Sequence, residues 1–224
     1  MKAIGLMSGT SADGIDAALL VSDGDSVVEC GPALTRPYEP ALRARLRALD
    51  ESAEAALTDA HGEAVAALLG TTTLTAGNID VIGFHGQTLW HRPEQGRTCQ
   101  IGDGARLAAA TGIDVIDNLR AADMRAGGQG APLVPVYHRA LATGLPRPLA
   151  VLNIGGVANV TWIGAGDDAL LGFDTGPGNA LLDDWAEAYT GCPLDEDGRL
   201  AAAGEVDAKA LEALLANSYF RVLP

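Results

Sequence analysis

Short apolar runs alternate with glycine-rich polar turns at two places along the chain. Residues 3–7 and 15–21 are mainly apolar, and the segment between them is rich in Ser, Asp and Gly. This pattern predicts a strand, a glycine-rich turn and a second strand. It partly returns at 149–163, where Gly155 and Gly156 separate two apolar runs. The repeat favours two related lobes that each open with a hairpin, although two unrelated hairpins would produce it as well.

Helical and strand patterns alternate between the two predicted hairpins. Ala and Leu recur at helical spacing over residues 39–69, which predicts two helices, and residues 104–111 predict another. Short strands are predicted at 81–84, 98–101 and 114–117. This alternation of strands and helices indicates an α/β fold.

A proline-rich segment marks the predicted boundary between the lobes. Residues 144–148 contain a glycine and two prolines, which is typical of a linker. We therefore expect an N-terminal lobe at 1–145 and the start of a C-terminal lobe at 149–224. Helices are predicted at 180–189 and 207–217, and no closing strand follows them. We expect the second lobe to be incomplete in this chain.

The composition narrows the class of protein. With 48% hydrophobic and 20% charged residues, the chain is expected to be globular. A net charge of −14 argues against nucleic acid or an anionic membrane as a partner. A small nucleotide remains possible, because backbone N–H groups and a metal can hold phosphate. Three widely spaced cysteines and no apolar run long enough to span a bilayer predict a cytoplasmic enzyme.

Two glycine-rich turns are candidates for holding phosphate. Residues 7–14 read Met-Ser-Gly-Thr-Ser-Ala-Asp-Gly. Glycine lets the backbone approach a phosphate, hydroxyl groups can donate to its oxygens, and Asp13 can hold Mg²⁺. The segment lacks the P-loop pattern, and an ordinary hairpin turn uses the same residue types. The turn within residues 153–159 offers its backbone N–H groups in the same way.

Asp174 stands where a predicted strand ends, before the sequence Thr-Gly-Pro-Gly-Asn. Ligand sites of α/β folds lie at such strand ends, and a carboxylate there can act as a general base or a metal partner. The alternative is an aspartate that caps the turn or the following helix. The glycines of the turn favour a functional role.

Four polar side chains are candidates for contact with a ligand such as a sugar. His85 and Gln87 follow a predicted strand and can hydrogen-bond its hydroxyl groups. Arg120 can grip a carboxylate, and Asp123 can accept from a hydroxyl. The alternatives are a structural histidine and a surface ion pair between Arg120 and Asp123. The glycines within 127–130 favour a ligand-binding loop.

Six short segments match, in order, the motifs of one known family. They are Gly-Leu-Met-Ser-Gly-Thr-Ser-Ala-Asp-Gly-Ile-Asp at 5–16, His-Gly-Gln-Thr at 85–88, Gln-Ile-Gly-Asp at 100–103, Ala-Gly-Gly-Gln-Gly-Ala-Pro-Leu-Val-Pro at 126–135, Leu-Asn-Ile-Gly-Gly-Val-Ala-Asn-Val at 152–160 and Phe-Asp-Thr-Gly-Pro-Gly-Asn at 173–179. On these segments the chain resembles the anhydro-N-acetylmuramic acid kinases. The resemblance covers essentially the whole chain.

The resemblance implies a fold, a reaction and its ligands. The fold would be that of the actin-like ATPases (ribonuclease H-like), with two lobes around a nucleotide cleft. The enzyme would open the anhydro ring of 1,6-anhydro-N-acetylmuramic acid with water and phosphorylate O6, using ATP and Mg²⁺. The product would be N-acetylmuramic acid 6-phosphate, in the recycling of peptidoglycan. A homodimer is a reasonable expectation.

The resemblance also implies roles for individual residues. Asp174 matches the general base that activates the water attacking C1, and residues 9–16 match the phosphate loop. The candidate ATP-binding residues are Gly9, Thr10, Ser11, Asp13, Gly14, Asp16, Asn153, Gly155 and Gly156. The candidate sugar contacts are His85, Gln87, Arg120 and Asp123, with Arg120 directed at the lactyl carboxylate.

Two rival interpretations stay open, and the second rests on the greater length of this family's members. One is a kinase of another specificity in the same fold, acting on a substrate such as acetate or a hexose. The other is a truncated, non-catalytic fragment that binds a sugar or a nucleotide.

Overall fold

The computed structural model describes residues 1–9, 12–166 and 169–222. It divides into two compact units, Met1–Leu133 and Val134–Pro224. The linker predicted at 144–148 lies within the second unit. The lobe boundaries 1–145 and 149–224 stay a prediction.

A six-stranded mixed sheet forms the centre of the first unit. Its strands are β1 Lys2–Ser8, β2 Gly14–Ser22, β3 Val27–Pro37, β4 Val81–Arg92, β5 Arg97–Ile101 and β6 Val115–Ile116. The order is β3-β2-β1-β4-β5, and β6 also pairs with β4. Strands β1, β2 and β3 form an antiparallel meander, while β4 runs parallel to β1 and β6 and antiparallel to β5.

The helices of the first unit cover this sheet. They are α1 Pro40–Arg47, α2 Glu54–Gly70, α3 Gly104–Thr111 and α4 Leu119–Arg125, with 3₁₀ turns at Glu51–Ala53, Ala76–Asn78 and Pro93–Gln95. Pro40 starts α1, where its fixed φ suits the first turn. The Asp103 side chain accepts from the Arg106 N–H and so caps α3.

The core of the first unit follows from two periodicities. Along β1, Ile4, Leu6 and Ser8 alternate inward, as a half-buried strand requires. Along α2, the buried residues are Leu57, Thr58, His61, Ala64, Val65 and Leu68, which is the spacing of one helical face. The apolar side chains among them pack with Ile82 and Phe84 of β4 in one cluster.

The second unit contains a three-stranded antiparallel meander. Its strands are β7 Leu149–Ile154, β8 Val157–Ile163 and β9 Leu170–Pro177, and its helices are α5 Val134–Leu141, α6 Ala180–Thr190, α7 Arg199–Ala203 and α8 Ala208–Leu215, with 3₁₀ turns at Glu196–Gly198 and Ser218–Arg221. Thr161 is buried on one face of this sheet, where its hydroxyl lies 2.8 Å from Nδ1 of His138 on α5. Large apolar side chains such as Leu152 and Leu171 remain exposed in this unit.

The predicted α/β class and both hairpins are confirmed. The helices predicted within 39–69 and at 104–111 are also present. The sequence did not predict β3, because Gly31 and Pro32 interrupt its alternation, and it did not predict α4, which is only seven residues long. Among the described residues, no helix is long and apolar enough to cross a membrane.

His61 makes the stability of the first unit depend on pH. Its side chain is fully buried, Nδ1 lies 2.9 Å from the Leu57 carbonyl oxygen, and its ring meets Phe84 edge-on. Burial lowers the pKa of His61 from 6.5 to about 4. The unfolded chain therefore takes up a proton at a higher pH than the folded protein does. The contribution of neutral His61 to the free energy of unfolding is complete above pH 6.5 and is lost as the pH falls towards 4.

When the pH is lowered from 7 to 5, we expect protonation of His61 in the unfolded chain to reduce the free energy of unfolding by about 2 kcal/mol. The measurement is urea unfolding of the wild type and of His61→Leu at both pH values. Leucine cannot take up a proton, so the variant should lose less stability over this interval. Equal losses in the two proteins would assign the pH dependence to the carboxylates instead.

Candidate functional site

A buried chain of hydrogen bonds anchors the start of the predicted phosphate loop. The Tyr38 hydroxyl donates to Ser8 Oγ over 2.8 Å, and Ser8 Oγ in turn donates to Gln87 Oε1. Nε2 of Gln87 then donates to the carbonyl oxygen of Gly9 over 3.0 Å. Ser8 and Gln87 are almost fully buried, and burial raises the pKa of Tyr38 to about 12. Gln87 therefore ties β4 to the loop after β1, and its direct contact with a sugar stays a prediction.

The described residues on either side of positions 10 and 11 approach each other between β1 and β2. Ala12 has a φ of 51°, and its N–H donates to the Gly9 carbonyl oxygen over 3.0 Å. A Cβ added to Gly14 would lie 2.6 Å from the carbonyl oxygen of Arg36, so this glycine permits the close approach of β3. Thr10 and Ser11, which are candidate phosphate contacts, lie outside the described residues.

Both acidic residues of the loop have partners on neighbouring elements. Asp13 forms an ion pair with Arg43 and lies 3.9 Å from Arg47, one helical turn further along α1. Asp16 accepts a hydrogen bond from Thr35 of β3 over 2.5 Å. The described residues contain no group of three or more His, Cys, Asp or Glu side chains that could hold a metal. Asp13 is therefore a single carboxylate shared with arginine, which suits Mg²⁺ only where phosphate supplies further ligands.

His85 and Arg120 contact each other directly. Arg120 Nη2 lies 3.0 Å from His85 Nε2, and His85 Nδ1 lies 2.9 Å from the carbonyl oxygen of Gly86. Since a guanidinium can only donate, His85 is neutral and carries its proton on Nδ1. Burial and the charge of Arg120 lower the pKa of His85, although the bond to Gly86 opposes this. Burial also lowers the pKa of Arg120, whose Nε is buried with no partner among the described residues.

Arg120 and Asp123 both hold the backbone of Gly130 in the glycine-rich loop. Arg120 Nη1 donates to the carbonyl oxygen of Gly130 over 3.1 Å, and the Gly130 N–H donates to Asp123 Oδ2 over 2.7 Å. Gly130 has a φ of +76°, and a Cβ there would lie 2.7 Å from Cγ of Arg120. Within the described chain the two side chains form no ion pair with each other, so the alternative of a surface pair is not found.

A small polar cleft opens beside His85. Its volume is about 180 Å³, and its lining residues are Glu54, Phe84, His85, Gly86, Gln100, Ile101, Gly102, Asp117 and Asn118. The cleft lies where one edge of β4 has no strand partner: β6 pairs with Ile82 and Gly83, and β5 begins to pair at Gln87. This volume is below that of most ligand pockets, so the cleft can hold only a small molecule or one part of a larger one.

Sequence reasoning missed four polar residues of this cleft. Glu54 Oε1 accepts from the Gly102 N–H over 3.1 Å, and Gln100 Nε2 donates to the His85 carbonyl oxygen over 3.3 Å. Asp117 and Asn118 come from the segment before α4. Gln100 belongs to the family motif at 100–103, which could have indicated it. Glu54 lies on α2, far away in the sequence, and no sequence pattern pointed to it.

The second unit brings its two predicted motifs together. Asn153 pairs with Asn159, which pairs with Asp174, so the three side chains share one row of the sheet. The N–H of Gly178 donates to the Gly156 carbonyl oxygen over 2.9 Å, and that of Asn179 donates to the Gly155 carbonyl oxygen over 2.7 Å. The turn after β7 therefore packs against the turn after β9.

Asp174 has an exposed position on β9. Its backbone carbonyl oxygen accepts from the Tyr219 hydroxyl over 2.6 Å. Asn179, and not Asp174, occupies the N-cap position of α6. The alternative that Asp174 caps this helix is therefore not found.

Comparison with known proteins identifies the family. The family model described as anhydro-N-acetylmuramic acid kinase matches residues 1–223. A relative of that name from Rhodospirillum rubrum is 59% identical, and the match covers 98% of this chain and 60% of the relative. One from Paramagnetospirillum magneticum is 55% identical, over 100% of this chain and 64% of the relative. The chain belongs to the anhydro-N-acetylmuramic acid kinase family, and it spans 60–64% of these two relatives.

Two solved structures are distantly similar. An exopolyphosphatase-like protein aligns with a TM-score of 0.37 at 16% identity, over 82% of this chain and 53% of that chain. YeaZ from Pseudomonas aeruginosa aligns with a TM-score of 0.26 at 14% identity, over 80% of this chain and 70% of that chain.

Gly86 is the residue on which the cleft geometry depends. Its φ is +68°, and a Cβ at this position would lie 2.5 Å from the carbonyl oxygen of Ile101. We expect Gly86→Ala to lower the free energy of unfolding by more than about 2 kcal/mol, because the left-handed backbone and the close contact both oppose a side chain.

The matched control is Gly83→Ala on the same strand, where a Cβ would meet nothing within 4 Å. Urea unfolding of both variants is the measurement. If Gly83→Ala and Gly86→Ala were equally stable, the left-handed conformation at Gly86 would not be required.

Proposed function

We propose that the chain acts as an ATP-dependent kinase that opens the 1,6-anhydro ring of 1,6-anhydro-N-acetylmuramic acid and phosphorylates O6. The product would be N-acetylmuramic acid 6-phosphate, a step of peptidoglycan recycling. The observation that carries this proposal is the family match over residues 1–223. The side chains of that match include an exposed carboxylate at a glycine-rich turn and a half-buried arginine–histidine pair beside a polar cleft.

We further propose the two-lobed fold of the actin-like ATPases. The support is the repeat: β1-β2-β3 and β7-β8-β9 are both antiparallel meanders, and in both a glycine-containing turn joins the first two strands. A meander of three strands in each unit is a longer repeat than the two hairpins that the sequence alone indicates.

The proposed phosphate contacts are the two glycine-rich turns. Residues 9–16 and the turn at Gly155 and Gly156 would direct backbone N–H groups at the phosphates of ATP. Asp13 would hold Mg²⁺ together with phosphate oxygens, and the ion would neutralise charge on the transferred group. Because Asp13 pairs with Arg43, the ion would share this carboxylate with the arginine or displace it.

Asp174 is proposed as the general base. Its carboxylate would take a proton from the water that attacks C1 of the sugar, as the bond between C1 and O6 breaks. The freed O6 would then attack the γ-phosphoryl group. Asn159 is the direct neighbour of Asp174 in the same row, with Asn153 one strand further away, so Asn159 can orient the water by a hydrogen bond.

His85, Arg120 and Asp123 are proposed to hold the sugar. Arg120 has a buried Nε without a partner and no carboxylate partner among the described residues, which suits the lactyl carboxylate. His85 is neutral and fixed in one tautomer by Arg120 and Gly86. Gln87 would act through the loop that it anchors. The homodimer and the cytoplasmic location stay predictions.

The test of this function is a coupled assay of ADP release with the anhydro sugar, ATP and Mg²⁺. We expect sugar-dependent turnover that falls by about 10²- to 10⁴-fold in Asp174→Asn, because a general base contributes this much. Asp184→Asn on the exposed side of α6 is the matched control and should keep full activity.

Two results would contradict the proposal. Turnover of acetate or glucose without turnover of the anhydro sugar would favour a kinase of another specificity. Calorimetric binding of the anhydro sugar without any ADP release would favour a non-catalytic binding fragment.

A further inference from the structure

Apart from Arg120, which contacts His85, the arginines of the first unit fall into two groups. Those on or near α1 and α3 pair with carboxylates, and they are Arg36, Arg43, Arg45, Arg47 and Arg106. Arg92, Arg97 and Arg125 have no carboxylate within ion-pair distance in the part of the chain that the structure describes. These three lie together on β4, β5 and α4, in a chain whose net charge is −14. Unpaired guanidinium groups gathered at one place in an acidic protein call for an explanation.

Two of these arginines face each other across the β4–β5 ladder. Arg92 is the direct partner of Arg97 in the register of the two strands. Like charges in directly opposite positions destabilise a sheet. Both guanidinium groups lie over the ring of Trp90, at 5.4 and 5.5 Å from its centroid, which offsets part of this repulsion. An anion between them would remove the rest.

An open cleft lies beside this pair. Its volume is about 560 Å³, and its lining residues are Trp90, Gly96, Arg97, Thr98, Cys99, Ala121, Met124 and Arg125. Arg97 comes from β5 and Arg125 from the last turn of α4, so guanidinium groups reach the cleft from two different elements. Glu51 lies near one wall, where Cys99 Sγ donates to its Oε1 over 3.7 Å.

We propose that this cleft binds a compact polyanion, a small molecule that carries two or more carboxylate or phosphate groups. Arg97 and Arg125 would bind its anionic groups, since a guanidinium binds carboxylate and phosphate through paired N–H donors. Arg92 would contribute its charge from above the ring of Trp90. The apolar side chains of Ala121 and Met124 would contact the body of the ligand. The site is distinct from His85 and Arg120 and does not depend on the proposed kinase activity.

The test is calorimetric titration of the protein with citrate and, separately, with inorganic pyrophosphate. These two probes distinguish a carboxylate ligand from a phosphate ligand. The variants are Arg97→Gln and Arg125→Gln, and each should weaken binding of the preferred probe about tenfold, the loss expected for one charge-assisted hydrogen bond. Circular dichroism checks that each variant is folded.

Arg36→Gln is the matched control, because it removes the same charge from an exposed arginine that pairs with Glu63 away from the cleft. It should change the affinity less than twofold. Pyrophosphate bound at the glycine-rich loop would keep its affinity in Arg97→Gln and Arg125→Gln, and this result would count against the proposal. Equal affinities in the control and the cleft variants, or no binding of either probe, would overturn it.

Discussion

The hydrogen bonds from Tyr38 through Ser8 and Gln87 to Gly9 are the interaction on which the first unit depends. They connect the end of β1, the residue after β3 and the middle of β4, and each donor group in this network has at least one acceptor. Buried polar groups are costly unless they are paired, so this network admits only one relative placement of the three strands. The loop after β1 and the cleft beside His85 are fixed with respect to each other because both are attached to Gln87 or its neighbours.

In the second unit, main-chain hydrogen bonds and one from the Asn179 side chain to the Ile154 carbonyl oxygen fix the corresponding turns. The turns after β7 and β9 are joined by hydrogen bonds between backbone groups of Gly155, Gly156, Gly178 and Asn179. The Gly178 backbone comes so close to the Gly155 carbonyl oxygen that a side chain would not fit between them. The position of Asp174 therefore depends on glycine at these turns rather than on a partner for its own carboxylate.

The sequence predicts elements well where one periodicity extends over several residues. The hairpins and α2 follow from alternation and from helical spacing, both of which are local properties. The polar cleft could not be predicted in this way, because Glu54, Gln100 and Asp117 meet only after α2, β5 and the segment before α4 pack together. The pairing of Asp13 with Arg43 was not predicted for the same reason, as it joins a turn to a helix about thirty positions later.

Residues 84–86 of β4 have no strand partner on the edge that β6 and β5 share, and this gap limits how the site can change. Two walls of the cleft beside His85 are the ends of neighbouring backbone ladders, and their separation is set by which strand positions hydrogen-bond. Replacing a lining side chain such as Gln100 or Asn118 alters the groups that a ligand meets but leaves that separation in place. Single substitutions can therefore change which ligand this site prefers while the width of the cleft stays the same.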